Sequence, residues 1–370
     1  MRILVTGGAG FIGSAYVRML LDGRAAPLAP GAVTVLDKLT YCGNRANLDP
    51  VRDDPRLRFV HGDICDADLV DAVVAGQDVI VHFAAESHVD RSIVGAAPFV
   101  TTNVLGTQTL LDAALRHGTG RFVHISTDEV YGSIAHGSWT EETPLAPNSP
   151  YAAAKAGADL LALAYHRTHG MDVVVTRCSN NYGPYQYPEK IIPLFVTRLL
   201  DGGTVGLYGD GGNVRDWLHV DDHCAGIALV QEKGRPGEVY HIGGGTELTN
   251  RDLTARLLEA CGAGWEQVTA VPDRKGHDRR YSLDITKIRN ELGYAPRVDL
   301  ATGLADTVRW YRENRSWWEP LSGRAGTTAA GDGTAPGGTG GSAGTGDPGT
   351  PRPDRPAEAG TADTAVGSAW

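Results

Sequence analysis

Ser126-Thr127-Asp128-Glu129-Val130-Tyr131-Gly132, followed by Tyr151 and Lys155, bring together the residue types of this chain best suited to chemistry. A Tyr-x-x-x-Lys spacing on a helix puts both side chains on one face. A nearby ammonium favours the phenolate of a tyrosine whose pKa is about 10 when unperturbed. Such a phenolate can take the proton of an alcohol while hydride leaves its carbon. Alcohol oxidation needs no more than that. Asp128 and Glu129 add an acid and a base, provided one carboxyl is protonated and the other ionised. Two adjacent carboxyls on a loop are ordinarily only solvated, and their neighbourhood to Tyr151 and Lys155 gives them a chemical reading. Oxidation followed by elimination of water fits the set.

Oxidation needs a hydride acceptor, and the N-terminus supplies a place for one. Gly7, Gly10 and Gly13 form G-x-x-G-x-x-G between a first strand and a first helix. Glycines there permit a tight turn, bring backbone N–H groups onto a pyrophosphate and let helix and strand pack closely. Asp37 ends the second strand roughly two dozen residues beyond Gly13, near the usual offset for a carboxylate on the adenosine ribose. A carboxylate at that point accepts from both ribose hydroxyls and repels a 2′-phosphate, so the cofactor expected is NAD, with Lys38 as a mild counterweight. Asp63-Ile64 and Phe83-Ala84-Ala85 follow further strands, at the ends where ligands of doubly wound sheets collect.

The elements that must position these groups alternate in type. Strands are expected at Arg2–Thr6, Val33–Asp37, Leu57–His61, Val79–Phe83, Arg121–Ser126 and Val173–Arg177, with helices at Gly10–Leu21, Ala67–Val74, Phe99–His117 and Pro150–Thr168. Strand–helix alternation of this kind makes an α/β fold, a Rossmann-type doubly wound parallel sheet. Residues 1–177 are read as the NAD-binding domain. Residues 178–322 are read as a smaller, interleaved lobe, with helices at Ile191–Asp201, Asp221–Gln231, Asn250–Ala260 and Leu300–Asn314. Residues 323–370 are rich in Gly, Ala, Thr and Pro, too poor in large apolar groups to offset their ordering entropy, and are expected to be a disordered tail.

Composition bounds the remaining possibilities. A hydrophobic content of 42% and a charged content of 21% are those of an ordinary globular protein. No apolar run is long enough for a bilayer span, and Met1–Thr6 runs straight into a strand without a leader pattern. Five scattered cysteines, Cys42, Cys65, Cys178, Cys224 and Cys261, suggest reduced thiols and a cytoplasmic setting. The formal net charge of −10 argues against nucleic acid as a partner.

GGAGFIG, DKLTYCGN, HFAAESHVDRS, STDEVYG, SPYAAAK, SNNYGPYQYPEK and RKGHDRRYSLD together resemble the dTDP-glucose 4,6-dehydratases of the extended short-chain dehydrogenase/reductase superfamily, over about Met1 to Pro320. The resemblance implies tightly bound NAD, regenerated in each turnover, and dTDP-glucose as substrate. Thr127 would hydrogen-bond the 4-oxygen, Tyr151 take the 4-hydroxyl proton, Lys155 hold the ribose, Glu129 remove the proton on carbon 5 and Asp128 protonate the leaving hydroxyl. It adds Phe11, Ile12, Thr40, Ser87, Thr102 and Asn181 to the cofactor contacts. Ser87, Asn180, Lys190, Ile191, Gly206, Tyr208, Arg215, Asn250, Arg274, His277 and Tyr281 become substrate contacts, Arg215 and Arg274 suiting a diphosphate and Gly206-Leu207-Tyr208 meeting the base. It also implies a homodimer through Phe99–His117 and Pro150–Thr168. Ala154 and Cys42 depart from common family residues without removing a catalytic group.

His219-Val220-Asp221-Asp222-His223-Cys224 has metal-ligating types, but Asp221 or Asp222 better suits a helix cap, and no metal is expected. A nucleotide-sugar 4-epimerase would share the fold and the Tyr/Lys pair yet need no Asp-Glu pair. A non-catalytic NAD-sensing protein on the same scaffold would have little use for all five catalytic groups.

Overall fold

The computed structural model describes residues 1–25 and 27–325. Seven parallel strands form the main sheet. In chain order they begin with β1 (Arg2–Thr6), β2 (Ala32–Asp37), β3 (Leu57–His61), β4 (Val79–His82), β5 (Arg121–Thr127) and β6 (Val173–Cys178). After β7 (Asn180–Tyr182), β8 (Val205–Tyr208) and β9 (Val214–His219), the chain returns to the sheet as β10 (Val239–Ile242). The spatial order is β10-β6-β5-β4-β1-β2-β3. Strand order reverses between β1 and β4, and there a doubly wound sheet opens its ligand crevice.

Both faces of this sheet are covered, which is why its strands read as continuous apolar runs. Ile3 and Val5 of β1 pack into one buried layer with Val33, Val35 and Val81, while Leu4 points into the opposite layer with Leu36, Ile80 and Phe122. A third apolar cluster, with Phe195, Trp217, Leu253, Leu257, Leu304 and Trp318, lies within the C-terminal segments. Beside it β11 (Glu247–Thr249), β9 and β7 form a small sheet, and β12 (Val268–Val271) pairs with β8. These strands of three to six residues escape a period-based reading of the sequence.

Two helices matter most for the site. Pro150–His169 starts at a Ser149 cap that accepts from the Ala152 N–H at 3.1 Å, with Pro150 in the first turn where its missing N–H costs nothing. It stops at Gly170, whose φ of +67° suits glycine. The helix expected over Phe99–His117 is not continuous. It begins as Ala97–Phe99, widens to a π-helical stretch at Val100–Gly106 and resumes as Thr107–His117. The wider turn brings the Asn103 amide to the Glu86 backbone, accepting from its N–H at 2.8 Å and donating to its carbonyl at 3.0 Å. The last helix, Arg315–Ala325, runs three residues into the segment expected to be disordered, and 326–370 lies outside the described residues.

Candidate active site

The glycine loop fits a dinucleotide. Gly7 has φ +69°, and a Cβ on it would stand 2.6 Å from the backbone nitrogen of Ala84, so only glycine lets β1 and β4 close up here. Helix Phe11–Leu21 begins at Gly10 without a side-chain cap, leaving first-turn N–H groups for an anion. Asp37, with 9% of its surface exposed, is held at the end of β2 by the N–H groups of Ala9 (2.9 Å) and Leu39 (2.8 Å). Burial pushes its carboxyl above the ordinary range, and those two N–H groups pull against that push. Lys38 is turned to Asp63 at 2.5 Å, so the cation that weakened the NAD assignment is already paired. Phe83 and Ala84 sit beyond β4, tied to Thr6 of β1, with Phe83 against the Tyr16 ring.

Thr127 closes β5, and its hydroxyl caps the short 3₁₀ turn Asp128–Tyr131 by accepting from the Glu129 N–H at 3.3 Å. Thr127, Asp128, Tyr151 and Lys155 are all buried. Asp128 receives a 3.3 Å bond from Thr127 on Oδ1, while its Oδ2 is buried without a hydrogen-bond partner. Burial, then the Glu129 charge, push the Asp128 carboxyl well above the usual carboxylate range. Burial also raises Glu129, but Lys190, Arg274 and Arg215 pull it back down. Lys155 donates to the Ile125 carbonyl of β5 at 2.6 Å, and burial lowers its pKa against the support of Asp159. The Tyr151 phenol is raised rather than lowered: burial dominates, and Glu129, Cys178 and Asp128 add to it. The Thr127 side chain pulls the other way, and a positively charged nicotinamide beside the phenol would lower it further.

Residues expected to hold the nucleotide sugar converge from separate segments. Lys190 reaches the Ser87 carbonyl at 3.1 Å. The Arg215 guanidinium lies 4.0 Å from the Tyr281 ring centroid and donates to the Asp278 carbonyl at 2.9 Å. Tyr281 in turn donates to the Asp278 carboxylate at 2.8 Å. Arg274 stands 3.6 Å from Asp90, and His277 packs edge-on to Tyr208 of β8. Asn180 and Asn181 lie on β7; Asn180 Oδ1 is buried without a partner, and Asn181 Oδ1 meets His223 Nδ1 at 2.9 Å. Thr249, not Asn250, caps helix Asn250–Cys261, so capping no longer competes for the buried Asn250 side chain.

A second cap is also corrected. His219 caps helix Val220–Lys233 through Nδ1, because Asp222 is turned away to accept from the N–H groups of Arg297 and Val298. Among the described residues no group of three or more metal-ligating side chains forms. The sequence reading missed Asp278 and Glu189. Both lie inside quoted motifs, but their partners are long-range: Asp278 joins Asn148, Arg215 and Tyr281, and the buried Glu189 carboxylate stands 3.5 Å from Arg91. Neighbouring residues carry no signal for such pairings.

A glycine cradle, a ribose carboxylate and a Tyr/Lys pair at the carboxyl ends of a parallel sheet define an NAD-dependent enzyme of the short-chain dehydrogenase/reductase type. The GDP-mannose 4,6 dehydratase family model matches residues 4–307. The dTDP-glucose 4,6-dehydratase of Streptomyces niveus is 69% identical over 87% of this chain and 96% of its own. That of Streptomyces antibioticus is 67% identical over 91% and 100%. The crystal structure of DesIV, a dTDP-glucose 4,6-dehydratase from Streptomyces venezuelae solved with NAD bound, superposes with a TM-score of 0.86 at 69% identity, over 87% of this chain and all of that one. A UDP-glucose 4-epimerase from Thermotoga maritima shares the fold at 34% identity and a TM-score of 0.78, covering 85% of this chain and 99% of its own. The chain belongs to the dTDP-glucose 4,6-dehydratase family and is an NAD-dependent hydro-lyase.

Proposed function

We propose that this site converts dTDP-glucose to dTDP-4-keto-6-deoxyglucose and water, with Thr127, Asp128, Glu129, Tyr151 and Lys155 as its catalytic residues. NAD along Gly7–Gly13 and Asp37 supplies the acceptor, and later the donor, of a hydride. Tyr151 takes the proton of the 4-hydroxyl, and Thr127 donates a hydrogen bond to that oxygen. Lys155 holds the ribose and, with the nicotinamide charge, favours the Tyr151 phenolate. The ketone formed at carbon 4 acidifies the hydrogen on carbon 5, which Glu129 removes. Asp128 gives its proton to the hydroxyl on carbon 6, which leaves as water; the hydride then returns to carbon 6 and a proton to carbon 5, closing the cycle on the 4-keto-6-deoxy sugar. Lys190, Arg215 and Arg274 face the diphosphate, and Tyr208 with Gly206 faces the base.

One observation carries the division of labour between the carboxyls. Asp128 is buried against the Glu129 charge with one oxygen unpartnered, the environment of a carboxyl that keeps its proton. Glu129 faces three cations that favour its ionised form. The acid and the base are thus separated by environment. In the Glu129→Gln variant, mixing with dTDP-glucose should accumulate reduced nicotinamide without a product lighter by one water. Dehydration at the wild-type rate, read by mass spectrometry, would remove Glu129 from the role of base.

Two copies pair through the helical segments 97–117 and 150–169, which expose Val100, Leu105, Leu115 and Leu160. The protein works in the cytoplasm. No helix among the described residues is long and apolar enough to cross a membrane, and all five cysteines are free.

A further inference from the structure

Tyr131 belongs to the motif that carries the acid and the base, yet no chemical step needs it. Its ring is buried, stacked on Trp139 with centroids 5.2 Å apart. Its hydroxyl is engaged on two sides: Arg177 Nη1 donates to it at 2.5 Å, and His241 Nε2 lies 2.7 Å away. The proton in the second contact can be assigned. His241 Nδ1 is 3.0 Å from the Asp284 carbonyl oxygen, which can only accept, so Nδ1 carries the ring proton and Nε2 accepts from Tyr131. Burial pushes His241 down to about 3, which agrees with a neutral ring.

The other end of the Arg177 guanidinium reaches a different element. Nε donates to Asp159 Oδ2 at 2.9 Å. Asp159 is fully buried, has His124 Nε2 3.2 Å from its second oxygen, and lies one helical turn beyond Lys155 on helix Pro150–His169. Burial opposes its charge, but His124, Arg177 and Lys155 hold the carboxyl down to about 2. Arg177 itself stands on β6, beneath both elements, and is 3% exposed. Its planar fork reaches the two acceptors from separate, rigidly spaced nitrogens, Nε and Nη1, where a lysine has a single nitrogen to offer.

We propose that Arg177 is a positioning residue that rivets the turn Asp128–Tyr131 to helix Pro150–His169, holding the elimination pair in register with Tyr151 and Lys155. This rests on the roles given above to Asp128, Glu129, Tyr151 and Lys155. The turn needs such a tie. Asp128 is bonded through its side chain only to its neighbour Thr127, and its second oxygen has no partner. The place of both carboxyls relative to the Tyr/Lys helix is therefore set by the backbone of the turn. Tyr131, at the end of that turn, is the residue by which Arg177 and His241 grip it. Thr127 and Tyr151 lie on the strand and helix themselves, so hydride removal depends less on the rivet than elimination does.

Tyr131→Phe tests this, because it keeps the ring, its stack on Trp139 and its face toward Arg177 while deleting the hydroxyl. On rapid mixing with dTDP-glucose, hydride removal should stay within about two-fold of wild type while elimination slows at least about ten-fold, as a shift of a fraction of an ångström at the reacting groups would cause. Reduced nicotinamide should then build up in a protein that still melts in one cooperative transition. Arg177→Lys, which keeps a cation opposite Asp159 but lacks the second, rigidly placed nitrogen that holds Tyr131, should give the same partition and decides the matter if Tyr131→Phe does not fold. Glu129→Gln run alongside separates the two levels. If it fails to block elimination, the assignment of roles is at fault. If it blocks elimination while folded Tyr131→Phe or Arg177→Lys slows both steps equally, or neither, Arg177 is only a structural buried pair and the proposal falls.

Discussion

Replacing Asp37 by Asn perturbs the cofactor site at a point where the structure allows the consequence to be worked out. Each carboxylate oxygen accepts one backbone N–H, from Ala9 at 2.9 Å and from Leu39 at 2.8 Å. An amide offers a single carbonyl oxygen, so whichever way it turns, its NH₂ faces one of those N–H groups. One charge-assisted bond is lost, at about 1.5–3 kcal/mol, and the surviving one becomes neutral, costing about 1 kcal/mol more. Relief from burying a charge, visible as the raised Asp37 carboxyl, offsets part of this, leaving a net loss of about 2 kcal/mol. Melting should then fall by roughly 5 °C. Asp37 is also expected to accept from the adenosine ribose, and losing one such charge-assisted bond, about 2 kcal/mol, should lower NAD affinity about thirty-fold. Discrimination against NADP should narrow, because the charge that repels a 2′-phosphate is gone. Differential scanning calorimetry and titration of NAD and NADP into cofactor-stripped protein read these effects. A variant that melts within about 1 °C of wild type and keeps its NAD through gel filtration would refute the reasoning.

Two further outcomes follow from burial elsewhere. His223 is fully buried, and burial pushes it down to about 3. The unfolded chain takes up its proton near pH 6.5 while the native state does not, so this histidine contributes stability that is present above that pH and lost as pH falls. Between about pH 7.5 and 5.5 wild type should lose about 1.4 kcal/mol more than His223→Gln in urea unfolding, and equal losses would show that the ring takes up its proton in the native fold. Leu160 is 56% exposed on helix Pro150–His169, and Leu160→Glu should weaken pairing about thirty-fold by removing about 2 kcal/mol of apolar burial. Sedimentation equilibrium unchanged from a dimeric wild type would place the pairing surface elsewhere.

Regular alternation made the main sheet legible, and the six strands expected from the sequence appear within a residue of their observed ends. The glycine turn and the placing of Asp37 at the end of β2 were legible because they are local: strand, turn, helix and the next strand end lie close together in the chain. The helix over Phe99–His117 was legible, but its π-helical widening was not, because the widening depends on a partner, the Glu86 backbone, that periodicity does not encode. The cap at His219 was misread as Asp221 or Asp222 for a related reason. Several polar residues near a helix start can cap it, and long-range bonds, such as those from Arg297 and Val298 to Asp222, decide which one does.

The chemistry depends on what those long-range contacts assemble. A 4-epimerase at 34% identity shares this scaffold, so the sheet and a Tyr/Lys pair cannot by themselves select elimination over epimerisation. An adjacent Asp-Glu pair supplies two carboxyls whose mutual repulsion drives one of them to keep its proton, but adjacency does not say which. Burial raises both carboxyls, but Lys190, Arg274 and Arg215, from three segments of the C-terminal half, oppose it at Glu129, while Asp128 lies beside the Glu129 charge with Arg215 opposing it and one oxygen unpartnered. Arg215 and Arg274, expected to grip the diphosphate, are thus also among the charges that favour an ionised Glu129. The turn after β5 supplies the two carboxyls, and residues far along the chain bias which of them stays ionised.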